Sequence, residues 1–114
     1  MSAGEIREPT FLVLVALAGE RLHGYGVMQA VAGLSDGRVR MGPGTVYGVL
    51  DRLEREGLVA EDGTGMEQGR ERRYFRITAR GVEVLAGETE RLACNARVGR
   101  ASLRRAARLG FGTP

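Results

Sequence analysis

Apolar residues recur along this 114-residue chain at spacings that predict four helices and one β-hairpin. The first helix starts at Pro9, because the first helical turn has no use for the N–H that proline lacks. It ends near Gly19, and its sequence is so apolar that neighbouring elements must cover most of its surface. A second helix starts around His23 or Gly24. It has one buried face in steps of three and four residues, formed by Val27, Ala30, Val31 and Leu34.

The third predicted helix starts near Pro43 and has an inward stripe of its own. That stripe consists of Val46, Val49, Leu50 and Leu53. Gly57 is the expected left-handed C-terminal cap, and Leu58 is expected to fold back onto Leu53, the apolar contact that accompanies such caps. The pattern therefore predicts a short helix that ends sharply before the next element.

A hairpin follows the third helix. We expect a short strand at residues 58–60, a long and mobile glycine-containing loop at 62–69, and a return strand at 72–77. Side-chain alternation places Phe75 on one face of the return strand and Tyr74 on the other. Arg73 and Ile77 share the face of Phe75, and Arg72 and Arg76 share the face of Tyr74.

The last predicted helix is long and carries an apolar seam. Thr78 is its expected N-cap. Residues at steps of three and four form the seam, namely Val82, Leu85, Thr89, Leu92, Ala96, Gly99, Leu103 and Ala106. A seam of this length cannot all be buried on one small domain, so it indicates a partner helix, most simply from a second copy of the chain. We expect the dimer contacts at Leu85, Leu92, Ala96 and Leu103.

Composition excludes several classes of protein. Hydrophobic residues make up 43% of the chain and aromatic residues 5%, which suits a globular core of Leu, Val and Ala. No run of apolar residues is long enough to span a membrane, and no signal peptide is evident, so we expect a cytoplasmic protein. A phosphate-binding loop, a Gly-x-Ser-x-Gly sequence and a metal-ligand pair are all missing, so we expect neither an enzyme nor a cofactor. A lone histidine, His23, makes a poor metal site.

The formal net charge of +3 points only weakly to a polyanionic partner, but the basic residues are unusual in kind. All 17 are arginine, whose forked guanidinium suits phosphates and guanine edges. One cysteine, Cys94, cannot form an internal disulfide. Its predicted position is outward on the last helix, where an inert surface thiol is favoured over a redox switch.

Three motifs together resemble one family. They are Leu22-His23-Gly24-Tyr25 at the second helix, Gly42-Pro43-Gly44-Thr45-Val46-Tyr47 through Gly57-Leu58-Val59 at the third, and Gly69-Arg70 through Ile77-Thr78 at the hairpin, followed by Gly81 and Leu85. Over residues 10–86 the chain resembles the PadR-like transcriptional regulators, in their compact subfamily with a single C-terminal helix. The resemblance implies a mainly α, winged helix-turn-helix domain at residues 1–78, a dimerisation helix at 79–110 and a disordered tail at 111–114.

The resemblance has departures. Family members usually carry Ser where this chain has Gly42, and Tyr is common where it has Phe75. Some relatives stack a flat drug-like ligand on a central Trp of the last helix. This chain has no Trp, which argues against that mode of ligand binding here.

In helix-turn-helix proteins, the first residues of the recognition helix contact base edges. Thr45 and Tyr47 occupy those positions, and Gly44 lets the backbone approach the groove. The second half of the helix carries Asp51, Glu54 and Glu56, which phosphates repel, so only the first half is expected to meet DNA. The alternative for Tyr47 is a partly buried packing residue.

Further DNA contacts are expected around this helix. Phosphate or minor-groove contacts are assigned to Arg70, Arg72 and Arg73 of the hairpin. Phosphate contacts are assigned to Arg38 and Arg40 before the recognition helix, and to Tyr25 at the start of the second helix, since helix N-termini suit anions. The alternative for the hairpin arginines is a solvated, charged hairpin. The alternative for Arg38 and Arg40 is that they are plain loop residues, and the alternative for Tyr25 is core packing.

The predicted function is a homodimeric repressor that binds an inverted-repeat operator in its own or a neighbouring promoter. A small aromatic or drug-like effector is a candidate inducer, with room for it at Ala93, Ala96 and Gly99 along the seam. The alternative is a winged-helix protein-interaction module without specific DNA binding. Gly42 and the acidic second half of the third helix favour that alternative.

Overall fold

A computed structural model describes residues 6–112. Within this range, three helices and a small sheet form one core, and a long final helix extends from it. The elements are α1 (Glu8–Gly19), β1 (Leu22–His23), α2 (Gly24–Leu34), α3 (Pro43–Arg55), β2 (Val59–Glu67), β3 (Arg70–Ile77) and α4 (Ala79–Arg108). This is the predicted winged helix-turn-helix fold with a long C-terminal helix.

Helix α1 is the centre of the core, as its apolar sequence predicts. Val13, Leu14 and Leu17 are at most 2% exposed, and α2, β3 and α4 all pack against the helix. Opposite sides of α1 are therefore covered by different elements, which explains why its sequence has no polar face. Thr10 is also buried, and its hydroxyl accepts a hydrogen bond of 2.8 Å from Arg52 of α3.

Helix α3 ends at the predicted glycine cap. Gly57 has a φ of +78°, and the N–H of Leu58 donates to the carbonyl of Leu53 at 2.9 Å. The N–H of Gly57 donates to the carbonyl of Glu54 at 3.0 Å, which completes a Schellman motif. Both leucines are buried in the same hydrophobic core. The four predicted inward residues of α3 are buried as well.

The prediction of a long, mobile hairpin loop at residues 62–69 was wrong. Strand β2 runs to Glu67, and only Gln68 and Gly69 connect it to β3. Both have positive φ, 55° and 75°, as a type I′ turn requires. Gly63, with φ +81°, lies at a register shift between Glu61 and Thr64, where β2 has one residue more than β3. Of the three glycines in residues 62–69, Gly63 thus lies in a β-bulge and Gly69 in the tight turn.

The sheet has a third strand that the sequence pattern did not predict. Its order is β1-β3-β2, with antiparallel pairing throughout. Leu22 pairs with Phe75 and His23 with Tyr74. The start of α2 is thereby attached directly to the return strand of the wing, which here means β2, β3 and their turn.

The second helix follows its predicted pattern except at its end. Val27 and Val31 are fully buried, but Leu34 is 53% exposed, so the prediction that Leu34 belongs to the buried face was wrong. The chain turns at this point, because the hydroxyl of Ser35 donates to the carbonyl of Val31 at 2.9 Å. Ser35 is therefore buried at this turn, whereas the Leu34 side chain is exposed to solvent.

Helix α4 starts at the predicted N-cap, since the Thr78 hydroxyl accepts a hydrogen bond of 3.0 Å from the N–H of Gly81. Gly81 lies against the backbone carbonyl of Leu58, with no room for a side chain. Val84 and Leu85 pack on the core, whereas Leu103 is 70% exposed. The predicted tail at 111–114 falls partly outside the described residues.

Candidate nucleic-acid interface

The N-terminal half of α3 presents an open, uncharged surface. Gly44, Thr45 and Gly48 are exposed, and a Cβ atom built on either glycine meets no atom within 4 Å. Gly42 caps the helix without a side-chain hydrogen bond. The first N–H groups of α3 therefore remain available to an external acceptor. A surface of this kind lets another molecule approach the helix backbone closely.

Tyr47 is half-buried and belongs partly to the core. Its ring lies directly on Gly24 of α2, so that a Cβ atom at Gly24 would lie 2.5 Å from the Tyr47 hydroxyl oxygen and closer still to its Cζ. Gly24 is itself buried. The packing alternative for Tyr47 thus describes its ring, whereas Thr45, the other predicted DNA-contacting side chain of this helix, is exposed.

The acidic residues in the second half of α3 are partly neutralised by arginines of the same helix. Asp51 accepts a 2.7 Å hydrogen bond from Arg55 one turn later, and Glu56 lies 4.0 Å from Arg52. These exposed pairs reduce the repulsion that the acidic residues alone would exert on phosphates.

Arg72 lies on the outer face of the wing, against the start of α2. Its guanidinium carbon is 5.6 Å from the ring centroid of Tyr25. Its Nε is buried and has no hydrogen-bond partner among the described residues. Tyr25 itself is 38% exposed. The structure therefore brings together two predicted phosphate-binding residues that are 47 positions apart in sequence.

The same face continues as a row of aromatic and cationic side chains. The His23 ring stacks on Tyr25 at 6.5 Å and meets Tyr74 edge-on at 5.3 Å. Arg21 lies over the Tyr74 ring at 4.1 Å and donates to the carbonyl of Asp62 at 2.6 Å. Sequence reasoning missed this row, because its members meet only through the unpredicted β1–β3 pairing.

His23 has the structural role that the sequence favoured. Its Nδ1 accepts a hydrogen bond of 3.0 Å from the N–H of Gly26, which caps α2. The hydroxyl of Tyr74 donates to Glu67 at 2.7 Å, and this hydrogen bond to a carboxylate raises the pKa of Tyr74 above 10.0. The first contact lies at the start of α2, and the second joins the two strands of the wing.

The other two predicted wing arginines differ from Arg72. Arg73 is on the inner face, where it donates to Glu61 at 2.7 Å and lies 5.3 Å from the Phe75 ring centroid. Arg70 is exposed beside the turn, opposite Glu67 in the strand register. The three arginines therefore do not form one cluster.

Arg38 also has an acidic partner within the chain. Its guanidinium donates two hydrogen bonds to Glu8, at 3.1 and 2.7 Å. This pair lowers the pKa of Glu8 below 4.5 and raises that of Arg38. Arg40 is exposed and its guanidinium lies near Gly37. Of the two, Arg40 is the one whose charge is not matched by a carboxylate in the described residues.

A groove of about 220 Å³ lies between α1 and α4. Its walls are Ile6, Glu8, Phe11, Leu12, Glu88, Arg91 and Leu92. Glu88 is only 6% exposed and is held by two hydrogen bonds from Arg91, which lower its pKa below 4.5. The predicted effector residues Ala93, Ala96 and Gly99 do not line this groove, although the predicted dimer residue Leu92 does.

Residues 6–112 contain no group of three or more His, Cys, Asp or Glu side chains that is arranged to hold a metal ion. None of the helices in this range is both long and apolar enough to cross a membrane. Cys94 is exposed, as its predicted outward position requires.

Residues 13–87 match the model of the family described as "Transcriptional regulator PadR-like family". Among curated proteins, an uncharacterized 37.1 kDa protein in transposon TN4556 of Streptomyces fradiae is 40% identical over 82 residues. The match covers 72% of this chain but 22% of that protein, so the chain spans about a fifth of its relative's length.

Solved structures show the same fold. A PadR family transcription regulator from Clostridium difficile has a TM-score of 0.71 at 21% identity, over 85% of this chain and 99% of that one. A PadR family transcriptional regulator from Eggerthella lenta has a TM-score of 0.62 at 29% identity, over 81% and 79%. Bacillus subtilis PadR, solved in complex with operator DNA, has a TM-score of 0.62 at 20% identity, over 71% and 46%.

Proposed function

The chain belongs to the PadR-like family of transcriptional regulators, and on that premise we propose that it is a homodimeric repressor of its own or a neighbouring operon. Its partner is double-stranded DNA with an inverted-repeat operator. The observation that best supports DNA binding is the open N-terminal half of α3. Gly44, Thr45 and Gly48 are exposed there, and a Cβ atom built on either glycine meets no other atom within 4 Å.

The chemistry of this surface supports sequence recognition. A helix fits the major groove of B-DNA, and a threonine side chain offers both a hydroxyl and a methyl group to base edges. Thr45 presents both, while the neighbouring glycines allow a close approach. The uncapped N–H groups at the start of α3 and their positive dipole favour a phosphate beside them.

Arg72 and Tyr25 supply a second point of contact. The aromatic ring holds the guanidinium by a cation–π interaction, and the ion pairs of the described residues do not include Arg72. A DNA phosphate would provide an acceptor for the terminal amino groups of this guanidinium. We assign the wing's principal phosphate contact to Arg72 rather than Arg73, since Arg73 is already paired with Glu61.

A homodimer is supported by the surface of α4. Leu92, at the rim of the α1–α4 groove, is 39% exposed, and Leu103 further along is 70% exposed. We propose that the last helix of a second copy covers both. Two recognition helices would then read half-sites about one DNA turn apart. Ala96 lies between these leucines on the same seam.

An effector would act by binding the DNA-competent and DNA-incompetent dimers unequally. The groove of about 220 Å³ is small beside the roughly 300–1,000 Å³ of sites for drug-like molecules. We therefore propose that an aromatic effector needs the second subunit to complete its site, next to Ala93, Ala96 and Gly99.

The decisive experiment is a footprint and gel-shift on the upstream DNA of the gene, over a range of salt, with Thr45→Val as the matched variant. Valine keeps the shape of threonine and removes only the hydroxyl. We expect protection of an inverted repeat by the wild type, and weaker binding to that repeat, but not to random DNA, by the variant. A promoter–reporter assay should show higher transcription without the protein.

The competing function is a winged-helix protein-interaction module. Binding at very low salt alone, with no preference for the upstream region over random DNA, would establish that alternative. Equal footprints for the wild type and Thr45→Val would leave repression intact but remove the Thr45 hydroxyl from base recognition.

A further inference from the structure

The charge of this chain is distributed very unevenly. All 14 acidic residues lie within residues 1–90, together with 11 of the 17 arginines, so this part carries a formal charge of −3. Residues 91–114 contain six arginines and no acidic residue, which gives them +6. The winged domain, residues 1–78, has ten arginines and 11 acidic residues and is nearly neutral at −1, and the positive charge of the chain is concentrated on the distal half of α4.

Four of these arginines form a row on one side of the helix. Arg97, Arg100, Arg104 and Arg108 are separated by steps of three, four and four, which keeps them within roughly 80° of one another at 100° per residue. All four are exposed, and the ion pairs of residues 6–112 include none of them. The row is roughly 16 Å long, or about five base pairs of DNA.

The arginine row and the proposed dimer seam use different faces of α4. Ala96, Gly99 and Leu103 of the seam are centred roughly 120° away from the row around the helix. A second copy can therefore cover the seam while the arginines stay in solvent. Each protomer of a dimer would carry its own exposed row.

We propose that the distal half of α4 is a DNA-backbone-binding arm, in which Arg97, Arg100, Arg104 and Arg108 contact phosphates beside the segment that α3 reads. The proposal rests on the proposed DNA-binding function and extends its interface beyond the winged domain. It accounts for the source of attraction to a polyanion in a chain whose winged domain has almost no net charge. The contacts are independent of sequence, since phosphates carry no base information.

Double-stranded DNA fits this arm better than an anionic membrane does. Helices that lie on membranes pair a basic face with bulky apolar residues such as Trp, Phe and Leu. Here the face opposite the row consists of Asn95, Gly99, Ser102 and Ala106, and the large apolar residues Leu92, Val98 and Leu103 lie to either side of it. The face opposite the arginines therefore offers small and polar side chains to lipids instead of a continuous apolar surface, whereas the arginine row needs only phosphates.

The test is a quadruple variant, Arg97→Gln, Arg100→Gln, Arg104→Gln and Arg108→Gln, with the corresponding four Arg→Lys changes as the matched control. Glutamine and lysine have helix propensities close to that of arginine, so α4 should stay helical in both. Circular dichroism and sedimentation verify this. Fluorescence anisotropy then measures binding to a duplex from the gene's upstream region and to a random duplex, between 50 and 200 mM salt.

We expect the glutamine variant to lose affinity for both duplexes by a similar factor. The slope of log affinity against log salt should become shallower by roughly 3 to 4 for each protomer in contact, because four phosphate contacts are lost. The preference for the upstream duplex should be retained, and the lysine variant should behave like the wild type.

An unchanged slope in a folded glutamine variant would overturn the arm while leaving the proposed repressor function intact. A membrane role would give a different pattern. The wild type, but not the glutamine variant, would bind to vesicles of phosphatidylglycerol and phosphatidylcholine, and the two proteins would have equal salt slopes on DNA. That result would assign the arginine row to a membrane and would also overturn the DNA-binding arm. A result against the proposed repressor function can be told apart from both outcomes, because the wild type itself would then bind the upstream duplex and the random duplex with equal affinity.

Discussion

At the scale of single residues, the contact of Tyr47 with Gly24 decides how the recognition helix is held. Because a Cβ atom at Gly24 would overlap the Tyr47 ring, Gly24→Ala should displace that ring. Overpacking of this kind typically costs about 1–3 kcal/mol. We expect a lower midpoint in chemical unfolding and weaker operator binding.

Two controls separate this contact from a general effect of alanine in α2. Gly33→Ala lies in the same helix with no atom within 4 Å of the new Cβ, and should be neutral or slightly stabilising. Tyr47→Ala should remove the overlap, so Gly24→Ala should cost little more in that background. Equal costs of Gly24→Ala with and without Tyr47 would show that the ring is not what fills this space.

Glu88 gives a pH-dependent prediction at the same scale. Hydrogen bonds from Arg91 lower its pKa below 4.5 in the folded chain. The folded state therefore binds fewer protons than the unfolded state as the pH falls through this range. The stability contributed by the pair is present above pH 4.5 and is lost as the pH drops through the folded-state pKa.

The measurement compares the wild type with Glu88→Gln in urea unfolding from about pH 6 to about pH 3. We expect the wild type to lose stability relative to the variant across this range. Glu8 also has a lowered pKa, but it is present in both proteins and cancels from the difference. A difference that stays constant with pH would mean that Glu88 does not titrate in this range through its pair with Arg91.

At the scale of elements, local signals predicted the helix ends well and the sheet poorly. The N-cap at Thr78 and the glycine cap at Gly57 depend on residues within a few positions, so a sequence pattern contains them. β1 has two residues, and only its pairing with β3 makes it a strand. The row of Arg21, His23 and Tyr74 could not be predicted from the sequence pattern either, because the same β1–β3 pairing brings its members together.

The wing was mispredicted because its outer half lacks an apolar alternation. Residues 61–67 are polar or glycine except for Met66, a composition typical of loops. Pairing with β3 and a two-residue turn nevertheless extend the strand through Glu67. Alternation along β3 already predicted that Arg72 and Arg73 lie on opposite faces, but the pairing of Arg73 with Glu61 depends on the extended β2 and was missed.

The wing turn yields a prediction about element stability. Gln68 has a φ of 55°, a region that asparagine enters several times more readily than most residues. Gln68→Asn creates the Asn-Gly pair that type I′ turns favour. We expect a gain of a few tenths of a kcal/mol in the free energy of unfolding, or about 1 kcal/mol at most.

Gly69→Ala is the opposing variant, because Gly69 has a φ of 75° and a side chain there is strained whatever the space. It should destabilise the hairpin by about 1 kcal/mol. Amide hydrogen exchange in β2 and β3 would localise both effects. Slower exchange in Gly69→Ala than in the wild type would contradict the turn assignment.

At the scale of the whole molecule, α4 is much longer than the core that supports it. The described residues extend over 60 Å along their longest axis, and large apolar side chains on α4, such as Val98 and Leu103, remain exposed. A lone helix of this kind gains little from packing, which is where most helical stability in proteins arises. The proposed dimer would supply that packing.

Leu103→Glu tests the dimer, with Val98→Glu as the control. Leu103 is 70% exposed, so its replacement should leave the winged domain folded, but a carboxylate on the seam would be buried against the second copy. We expect Leu103→Glu to sediment as a monomer and to bind the inverted repeat at least tenfold more weakly, because both half-sites no longer bind together. Val98 is similarly exposed at 62% but lies off the seam, so the same charge there should leave the dimer intact.

If both variants dimerise like the wild type, the contact between copies lies elsewhere than the predicted seam. If the wild type is itself monomeric at the concentrations that give a footprint, each half-site is read independently and the spacing of the repeat should not matter.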